Sequence, residues 1–526
     1  MLFKSPGRGR LKRFKLSSFF EKRWPIVVVV GLSFALLLSE PRIVDFFQKG
    51  HVNWVSLDSL AIANNSSFDH GGVGYACKEL DGLTGDHYDY FNRYPIFFAV
   101  LSRLVLQPFL GDAASWLYAA RQWMNLIFIA TGFALWWWLR SLRFSRVVAM
   151  ASVLLTLSAP VVLQYRSMFH FDQPALLAYG VLLLVVLRQL IKPSPAPYWY
   201  LGVLFLAAMS GRSAVALIFS LVLPLLLIVL KPFPFDGTSQ AGARTLRWLW
   251  FGVPLAFGSV LVATAYNVVW EARLNQVSWQ STSVVQSALR RLGFVDIPGT
   301  QVERTRWLGG ALPKIAAYLS EYFYPLIVVS ALLVLICLIT PRLRNSVTAF
   351  EITSPAFLSA DARQLRRFML WSSGITSLLW ILLMKNLFVF HIYAGMAVLP
   401  FLLLCMASAL EALISQINGV GVATPRLVDR GLVVASCSVF LVVLFFGPGA
   451  QLRPDAARSF ELEGFFADLN QYRNGLRSGD MIWRDYEWFP RSPTAQCALL
   501  DVPLLVGDHP EGIKTSKPPA FPERLD

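Results

Sequence analysis

The feature that most constrains this chain is a series of long apolar runs separated by short charged loops. Several runs approach the roughly 20 residues that a helix needs to cross a bilayer. Only 15% of the 526 residues are charged, and a soluble chain usually has about 25%. We therefore predict an all-α polytopic membrane protein. The runs are Pro25–Ser39, Val147–Leu163, Pro174–Leu190, Ser213–Leu230, Leu249–Val269, Leu326–Ile339, Ile375–Met384, Tyr393–Leu413 and Leu432–Phe446.

The positions of the basic residues predict the orientation of these runs. A basic cluster precedes the first run, and the short loops Arg140–Arg146 and Lys231–Arg247 are also basic. Because cytoplasmic loops are enriched in Lys and Arg, the N-terminus is expected in the cytoplasm. The charges then predict about eleven spanning helices and an extracytoplasmic C-terminus. The net charge of +15 is explained by these loops, so no nucleic-acid partner is expected.

The spans divide the chain into three predicted parts. Residues 1–23 form a basic cytoplasmic tail, residues 24–447 the transmembrane domain, and residues 448–526 an extracytoplasmic segment. Within the domain, loops 40–116 and 271–324 are expected outside.

Two regions outside the predicted spans also have recognisable patterns. Tyr94–Leu110 is apolar but contains Arg103, so we predict an amphipathic helix at the outer interface. In the C-terminal segment, Phe460–Leu476 has helical spacing, and the runs Met481–Trp483 and Ala498–Val506 follow it. These patterns predict a small α/β unit.

Ionisable residues at membrane level are functional candidates because they are costly to bury there. Those of interest fall on the predicted outer side. They are Asp58 after the first span, Arg93 and Tyr94, Arg166 and Asp172, Arg212, and Lys385, His391 and Tyr393. Arg93 and Tyr94, followed by Pro95, open the predicted interfacial helix.

Carboxylates and cations on one membrane face suit a site that handles a lipid-borne phosphate. Cations stabilise a departing phosphate, and one carboxylate suffices as the general base for an acceptor hydroxyl. The sequence contains no GxxxxGK[ST] run for a nucleotide phosphate. No His, Cys or carboxylate spacing demands a metal, so no cofactor is expected, and a divalent ion stays open.

The order of these features resembles the GT-C membrane glycosyltransferases, in the branch that contains protein O-mannosyltransferases, the lipid A aminoarabinose transferase and lipopolysaccharide-core transferases. Asp58 matches the acid that follows span one in that branch. Asp89–Ile96 resembles the stretch that opens its interfacial helix, and Arg166–Pro174 resembles its Arg…Asp-x-Pro element. Lys385–Pro400 is similar to its late Lys…Tyr…Pro element.

The resemblance implies an inverting glycosyltransferase of a bacterial plasma membrane, active on the outer face. The donor would be a polyprenyl-phosphate-linked sugar, and the acceptor a cell-envelope glycan, a lipid or a protein. Asp58 would be the general base and Asp172 a second carboxylate. The implied phosphate ligands are Lys385, Arg212, Arg166, His391 and Tyr393.

One departure from the family leaves alternatives open. Ser59 stands where the family often has Glu, so Asp69, Asp86 and Asp89 are alternative bases. The same departure suits a non-catalytic relative, and a lipid or glycan transporter is a further alternative.

Overall fold

The computed structural model describes a set of segments that includes most of the predicted spans. These are residues 16–41, 52–66, 74, 77–81, 85–89, 97–109, 113–192, 197–210, 213–230, 240–292, 312–313, 316–317, 360–384, 392–420, 425–447, 467–468, 471, 482–483 and 504–506. The helices are α1 (Leu16–Ser39), α2 (Val52–Asn64), α3 (Phe97–Leu106), α4 (Ala113–Ser141), α5 (Arg146–Leu157), α6 (Pro160–Gln164), α7 (Asp172–Ile191), α8 (Tyr198–Met209), α9 (Ser213–Leu230), α10 (Gln240–Leu274), α11 (Ser283–Leu292), α12 (Ala360–Leu383), α13 (Leu399–Val420) and α14 (Pro425–Phe446). Short 3-10 helices cover Gln107–Phe109, Trp279–Ser281 and Ile392–Val398.

The apolar helices pack around one extended core. α4 lies along α7, α9 packs against α10 and α12, and α5 packs against α13 and α14. Trp138, Phe128 and Leu183 are among its fully buried side chains. Apolar side chains such as leucine and valine occupy more than one face of these helices. One face can therefore pack in the core while another contacts lipid.

Four helical ranges in the described part of the chain are long and apolar enough to cross a bilayer: Asp172–Ile191, Ala243–Leu274, Gly395–Ile414 and Asp429–Phe446. Shorter apolar helices include Val27–Ser39 and Val215–Leu230. These helices support the predicted membrane class. The predicted span at Leu326–Ile339 lies outside the described residues, so the number of spans stays a prediction.

The structure divides one predicted run and lengthens another. Val147–Leu163 is not one helix, because α5 ends at Leu157 and α6 begins at Pro160. Proline has no N–H to continue an α-helix and is favoured at the first helical position, so it separates the two. α10 has 35 residues and begins at Gln240, within the basic loop predicted over Lys231–Arg247.

The predicted interfacial segment Tyr94–Leu110 contains α3 and the 3-10 helix Gln107–Phe109. Phe98, Ala99, Ser102 and Leu106 are buried, and their spacing places them on one face. Arg103 Nη1 donates a hydrogen bond to the carbonyl oxygen of Ser66, just after α2. This contact joins the two helices of the first predicted outer loop.

Four strands form one sheet among the described residues, in the order β2-β1-β4-β3. β1 (Cys77–Asp81) pairs antiparallel with β2 (Gly85–Asp89) and parallel with β4 (Leu504–Val506), which in turn pairs parallel with β3 (Ile482–Trp483). β1 and β2 belong to the first long loop, whereas β3 and β4 belong to the C-terminal segment. A sheet joined by backbone hydrogen bonds places both segments on the same side of the membrane. The rest of the tail lies outside the described residues.

At the opposite, predicted cytoplasmic end, an arginine joins three elements. Arg366 in α12 forms an ion pair with Glu411 in α13, and its Nε donates to the carbonyl oxygen of Leu142 at 2.8 Å. The Arg366 guanidinium also lies 3.7 Å from the centre of the Phe144 ring. The turn between α4 and α5 is therefore held against α12 and α13.

The contact between α8 and α10 depends on a glycine. A Cβ atom at Gly252 would overlap the Tyr200 hydroxyl and lie 2.8 Å from Leu204 Cδ2, whereas Gly258 on the same helix has open space around it. We predict that Gly252→Leu destabilises the protein by about 1–3 kcal/mol through overpacking. Gly258→Leu gives the same gain in helix propensity without the clash, so it is the matched control. Melting temperatures in detergent compare the two variants, and equal values would contradict the packing described here.

Candidate functional site

The site is built around a turn between α6 and α7, Tyr165–Phe171, which we call the outer turn. All seven residues are buried. Loops usually lie on the surface, because buried backbone and side-chain polar groups need partners. The partners of this turn come from helices that are distant in the sequence.

A buried group of charged residues holds the first part of the turn. Glu40 follows the last residue of α1 and forms ion pairs with Arg121 of α4 and Arg166 of the turn. Asn125 Nδ2, one helical turn from Arg121, donates to Glu40 Oε2 at 3.3 Å. We call Glu40, Arg121, Arg166 and Asn125 the ion cluster.

Further hydrogen bonds connect the ion cluster to its neighbours. Arg166 Nη1 donates to the carbonyl oxygen of Leu163 at 2.7 Å, and its Nη2 donates to Ser39 Oγ at 3.2 Å. Arg121 Nη2 donates to Ser167 Oγ at 3.3 Å. Through these bonds the cluster joins the end of α1, the first half of α4 and the outer turn.

Charge and burial make Glu40 the critical member of the cluster. Glu40, Arg121 and Arg166 are 5%, 5% and 3% exposed, and two guanidinium groups share one carboxylate. Burial alone would raise the pKa of Glu40, but Arg121 and Arg166, helped by hydrogen bonds from Asn125 and Ser167, lower it more, so the pKa lies below its ordinary value. The carboxylate is thus ionised at neutral pH, where it offsets the cost of burying the arginines.

The second part of the turn docks on α2 and α3. The backbone N–H of Phe169 donates to Ser56 Oγ of α2 at 3.0 Å. The Phe169 ring packs against Phe98 of α3, with 5.3 Å between the ring centroids. Asp58 lies two residues after Ser56 in α2, so its helix is held against the turn, while its side chain is outside the described part.

The turn ends with a buried acid–imidazole pair. His170 Nδ1 contacts Asp172 Oδ2, and both residues are buried. Asp172 is the first residue of α7, but the N-cap is Phe171, which makes no side-chain cap bond. As a carboxylate in the first turn of α7, Asp172 suits the helix dipole.

Asp172 also borders a narrow cavity of about 290 Å³, counted with its open mouth. The lining contains Tyr179 of α7, Val215 of α9, and Met396 with Ala397 of the 3-10 helix Ile392–Val398. Gln173 Nε2 contacts Met396 Sδ at 3.4 Å and holds that 3-10 helix against α7. The cavity is largely apolar, with a carboxylate at one wall.

Two predicted site residues, Arg166 and Asp172, are described in full and lie in or next to the outer turn. Asp58 is described as part of α2, Tyr393 as part of the 3-10 helix, and Asp86 and Asp89 as part of β2. The side chains of these four lie outside the described part. Arg93, Tyr94, Pro95, Asp69, Arg212, Lys385 and His391 lie wholly outside the described residues.

Sequence reasoning missed Glu40, Arg121, Asn125 and His170. Arg121 and Asn125 stand four residues apart in a largely apolar helix. A cation within a membrane helix is costly and usually has a specific partner, so that signal was available for Arg121. Its partners were not readable, because they lie 81 and 46 positions away. Among the described residues, no group of three His, Cys, Asp or Glu side chains could hold a metal ion.

Comparison with known proteins finds similarity at the level of structure alone. No family model matches the chain, and no curated protein matches it. Among solved structures, ArnT from Cupriavidus metallidurans, bound to undecaprenyl phosphate, matches 93% of this chain and 87% of its own, with 14% identity and a TM-score of 0.52. The oligosaccharyltransferase of Archaeoglobus fulgidus, tethered to an acceptor peptide, matches 96% of this chain and 62% of its own, with 12% identity and a TM-score of 0.47.

The match to ArnT covers most of both chains, so the two share the course of the backbone through the membrane region. ArnT is a GT-C membrane glycosyltransferase. This chain therefore has the fold of that GT-C enzyme.

Proposed function

We propose that this protein is an inverting glycosyltransferase that moves a sugar from a polyprenyl-phosphate-linked donor to an acceptor at the outer face of a bacterial plasma membrane. One observation carries the proposal. Within a GT-C fold, the helix with Asp58 docks on the turn that carries His170 and Asp172, through the bond between Phe169 and Ser56. This bond holds together the two segments that carry the predicted catalytic carboxylates, Asp58 and Asp172.

The surroundings of Glu40 support Asp58 as the general base. Glu40 is the first acid after α1, and by position alone it competes for that role. Its burial, its two arginine partners and its lowered pKa make it a poor proton acceptor. A base must reach the acceptor hydroxyl and hold its proton during the reaction, and we assign that role to Asp58 on α2.

We assign the donor phosphate to Lys385 and Arg212, with His391 and Tyr393 beside them. His391 directly precedes the 3-10 helix that borders the Asp172 cavity, and Tyr393 belongs to it. Lys385 closely follows α12, which contacts that 3-10 helix, and Arg212 directly precedes α9, which also borders the cavity. Arg166 was predicted as a further phosphate ligand. Since it is buried and paired with Glu40, we propose that it acts on the phosphate only through the position of the turn.

The proposed step is a single displacement at the sugar's anomeric carbon. The acceptor oxygen forms a bond to that carbon while the bond to the phosphate oxygen breaks, and the Asp58 carboxylate takes the acceptor's proton. The polyprenyl phosphate leaves with one more negative charge than the phosphodiester had. Cations at Lys385 and Arg212 stabilise that charge as it develops.

Asp172 has a second role in this proposal. Its carboxylate borders the cavity and is oriented by His170, and a carboxylate in that position accepts hydrogen bonds from sugar hydroxyls. We propose that Asp172 orients the donor sugar, whereas Asp58 takes the proton. The acceptor is a cell-envelope glycan, a lipid or a protein, and the N-terminus is cytoplasmic.

We predict that Asp58→Asn lowers the rate of glycosyl transfer by about 10²–10⁴-fold, because general-base catalysis contributes that much. The variant is reconstituted in nanodiscs and incubated with radiolabelled undecaprenyl-phosphate-linked sugars and with an envelope extract from cells that lack the protein. Label transferred to the extract is measured per folded molecule. Asp429→Asn in α14, at the predicted cytoplasmic end, is the control and keeps the wild-type rate.

The same assay tests the alternatives. If Asp58→Asn keeps its activity and Asp69→Asn, Asp86→Asn or Asp89→Asn loses it, Asp58 is not the base. If the wild-type protein transfers none of a broad panel of sugars, the non-catalytic or transport alternatives replace the proposal.

We also predict that the wild-type protein binds undecaprenyl phosphate and that Lys385→Ala and Arg212→Ala each raise the Kd about 10-fold or more. A hydrogen bond to a charged group contributes about 1.5–3 kcal/mol, which accounts for such a change. Native mass spectrometry with undecaprenyl phosphate measures the Kd. Lys192→Ala removes a cation at the far end of α7 and should leave the Kd unchanged. Equal weakening in all three variants would mean non-specific charge attraction.

A further inference from the structure

We infer that Glu40 is a positioning residue, which fixes the outer turn and through it the geometry of the proposed active site. The catalytic part of this inference rests on the proposed function. Its structural part, that Glu40 holds the turn on α2, stands independently of any reaction.

The inference begins with the connectivity of one carboxylate. Glu40 Oε2 accepts from Arg166 Nη2 at 3.2 Å and from Asn125 Nδ2 at 3.3 Å, and Glu40 also pairs with Arg121. One side chain therefore links α1, α4 and the outer turn. Arg121 adds a second link to the turn through Ser167.

Removing this carboxylate has a specific electrostatic consequence. Arg121 and Arg166, both buried, would lose the carboxylate that they share. Arg121 Nε and Nη1 already lack a hydrogen-bond partner among the described residues, so Glu40 is its chief source of compensation. Like charges in a poorly hydrated site repel strongly. Because Arg166 belongs to the outer turn, this repulsion would act on the position of the turn.

A shift of the turn would reach both proposed carboxylates. Arg166 is three residues before Phe169, whose N–H binds Ser56, and Asp58 follows Ser56 by two residues in α2. On the other side of Phe169, His170 and Asp172 form their pair next to the cavity. Moving the turn therefore changes the position of α2 relative to Asp172, without removing any group that would touch substrate.

The chain provides a matched control at its other end. Arg366 and Glu411 form a partly buried ion pair that also holds a turn between helices. It has the same chemistry and a comparable structural role, but it lies far from the outer turn. Loss of this pair reports on stability without a change at the proposed site.

The experiment compares Glu40→Gln, Glu40→Asp and Glu411→Gln in nanodiscs. For each variant the transfer reaction gives kcat and KM per folded molecule, and a thermal melt gives stability. We expect Glu40→Gln to lower kcat at least about 10-fold, because misplacement of reacting groups by about 1 Å costs up to 10²-fold. We expect KM to change little and Glu40→Asp, which keeps the charge, to recover much of kcat. Glu411→Gln should lose stability and keep kcat.

Hydrogen exchange followed by mass spectrometry gives a readout that needs no activity. In Glu40→Gln, amide exchange should accelerate at least about 10-fold in the outer turn and in α2, because local opening controls exchange. In Glu411→Gln the acceleration should instead appear near Leu142–Phe144.

The outcomes separate the inference from the proposed function. If Glu40→Gln loses stability alone, with kcat and local exchange unchanged, Glu40 is only a structural residue and the inference is wrong. If the wild type shows no transfer but exchange in the turn still depends on Glu40, the proposed function fails and the positioning role survives.

Discussion

The interaction on which the candidate site depends is the pairing of one buried carboxylate, Glu40, with two buried arginines, Arg121 and Arg166. In a bilayer protein, an unpaired buried charge costs more than packing can offset, so such residues are retained only with specific partners. Glu40 meets this requirement for Arg121 and Arg166 at once. The helices that carry these groups are consequently fixed relative to one another at the end of the membrane domain where the candidate site lies.

The outer turn connects these ion pairs to the residues of the candidate site. Ordinary loops are exposed and variable, but every residue of Tyr165–Phe171 is buried. Its backbone and side chains are bound by α1, α2, α3 and α4, and Gln173 of α7 contacts the neighbouring 3-10 helix. A turn held from so many directions has little freedom to rearrange. Pre-organisation of this kind is what catalysis by positioned charges requires.

Helices and fold class were predictable, because apolar runs and charged loops are local features of the sequence. The resemblance to GT-C enzymes was confirmed at the level of fold by the match to ArnT. Pro160 was a local signal for the break between α5 and α6. We predicted one run over Val147–Leu163 because the residues on both sides of the proline are apolar. By contrast, the pairing of Glu40 with Arg121 and Arg166 joins positions 81 and 126 residues apart, and no local pattern encodes such contacts. The assignments to Asp58, Lys385 and Arg212 stay predictions.

The sheet has a consequence for biosynthesis. β4 lies near the C-terminus, yet it pairs in parallel with β1, more than 400 residues earlier. Until the ribosome has released the last strand, one side of β1 has no partner, and an unpaired strand edge invites wrong associations. Completion of this sheet must therefore wait until Leu504–Val506 has been translated and has reached β1. Chains truncated before β4 would emerge with their helices inserted but with this sheet unfinished.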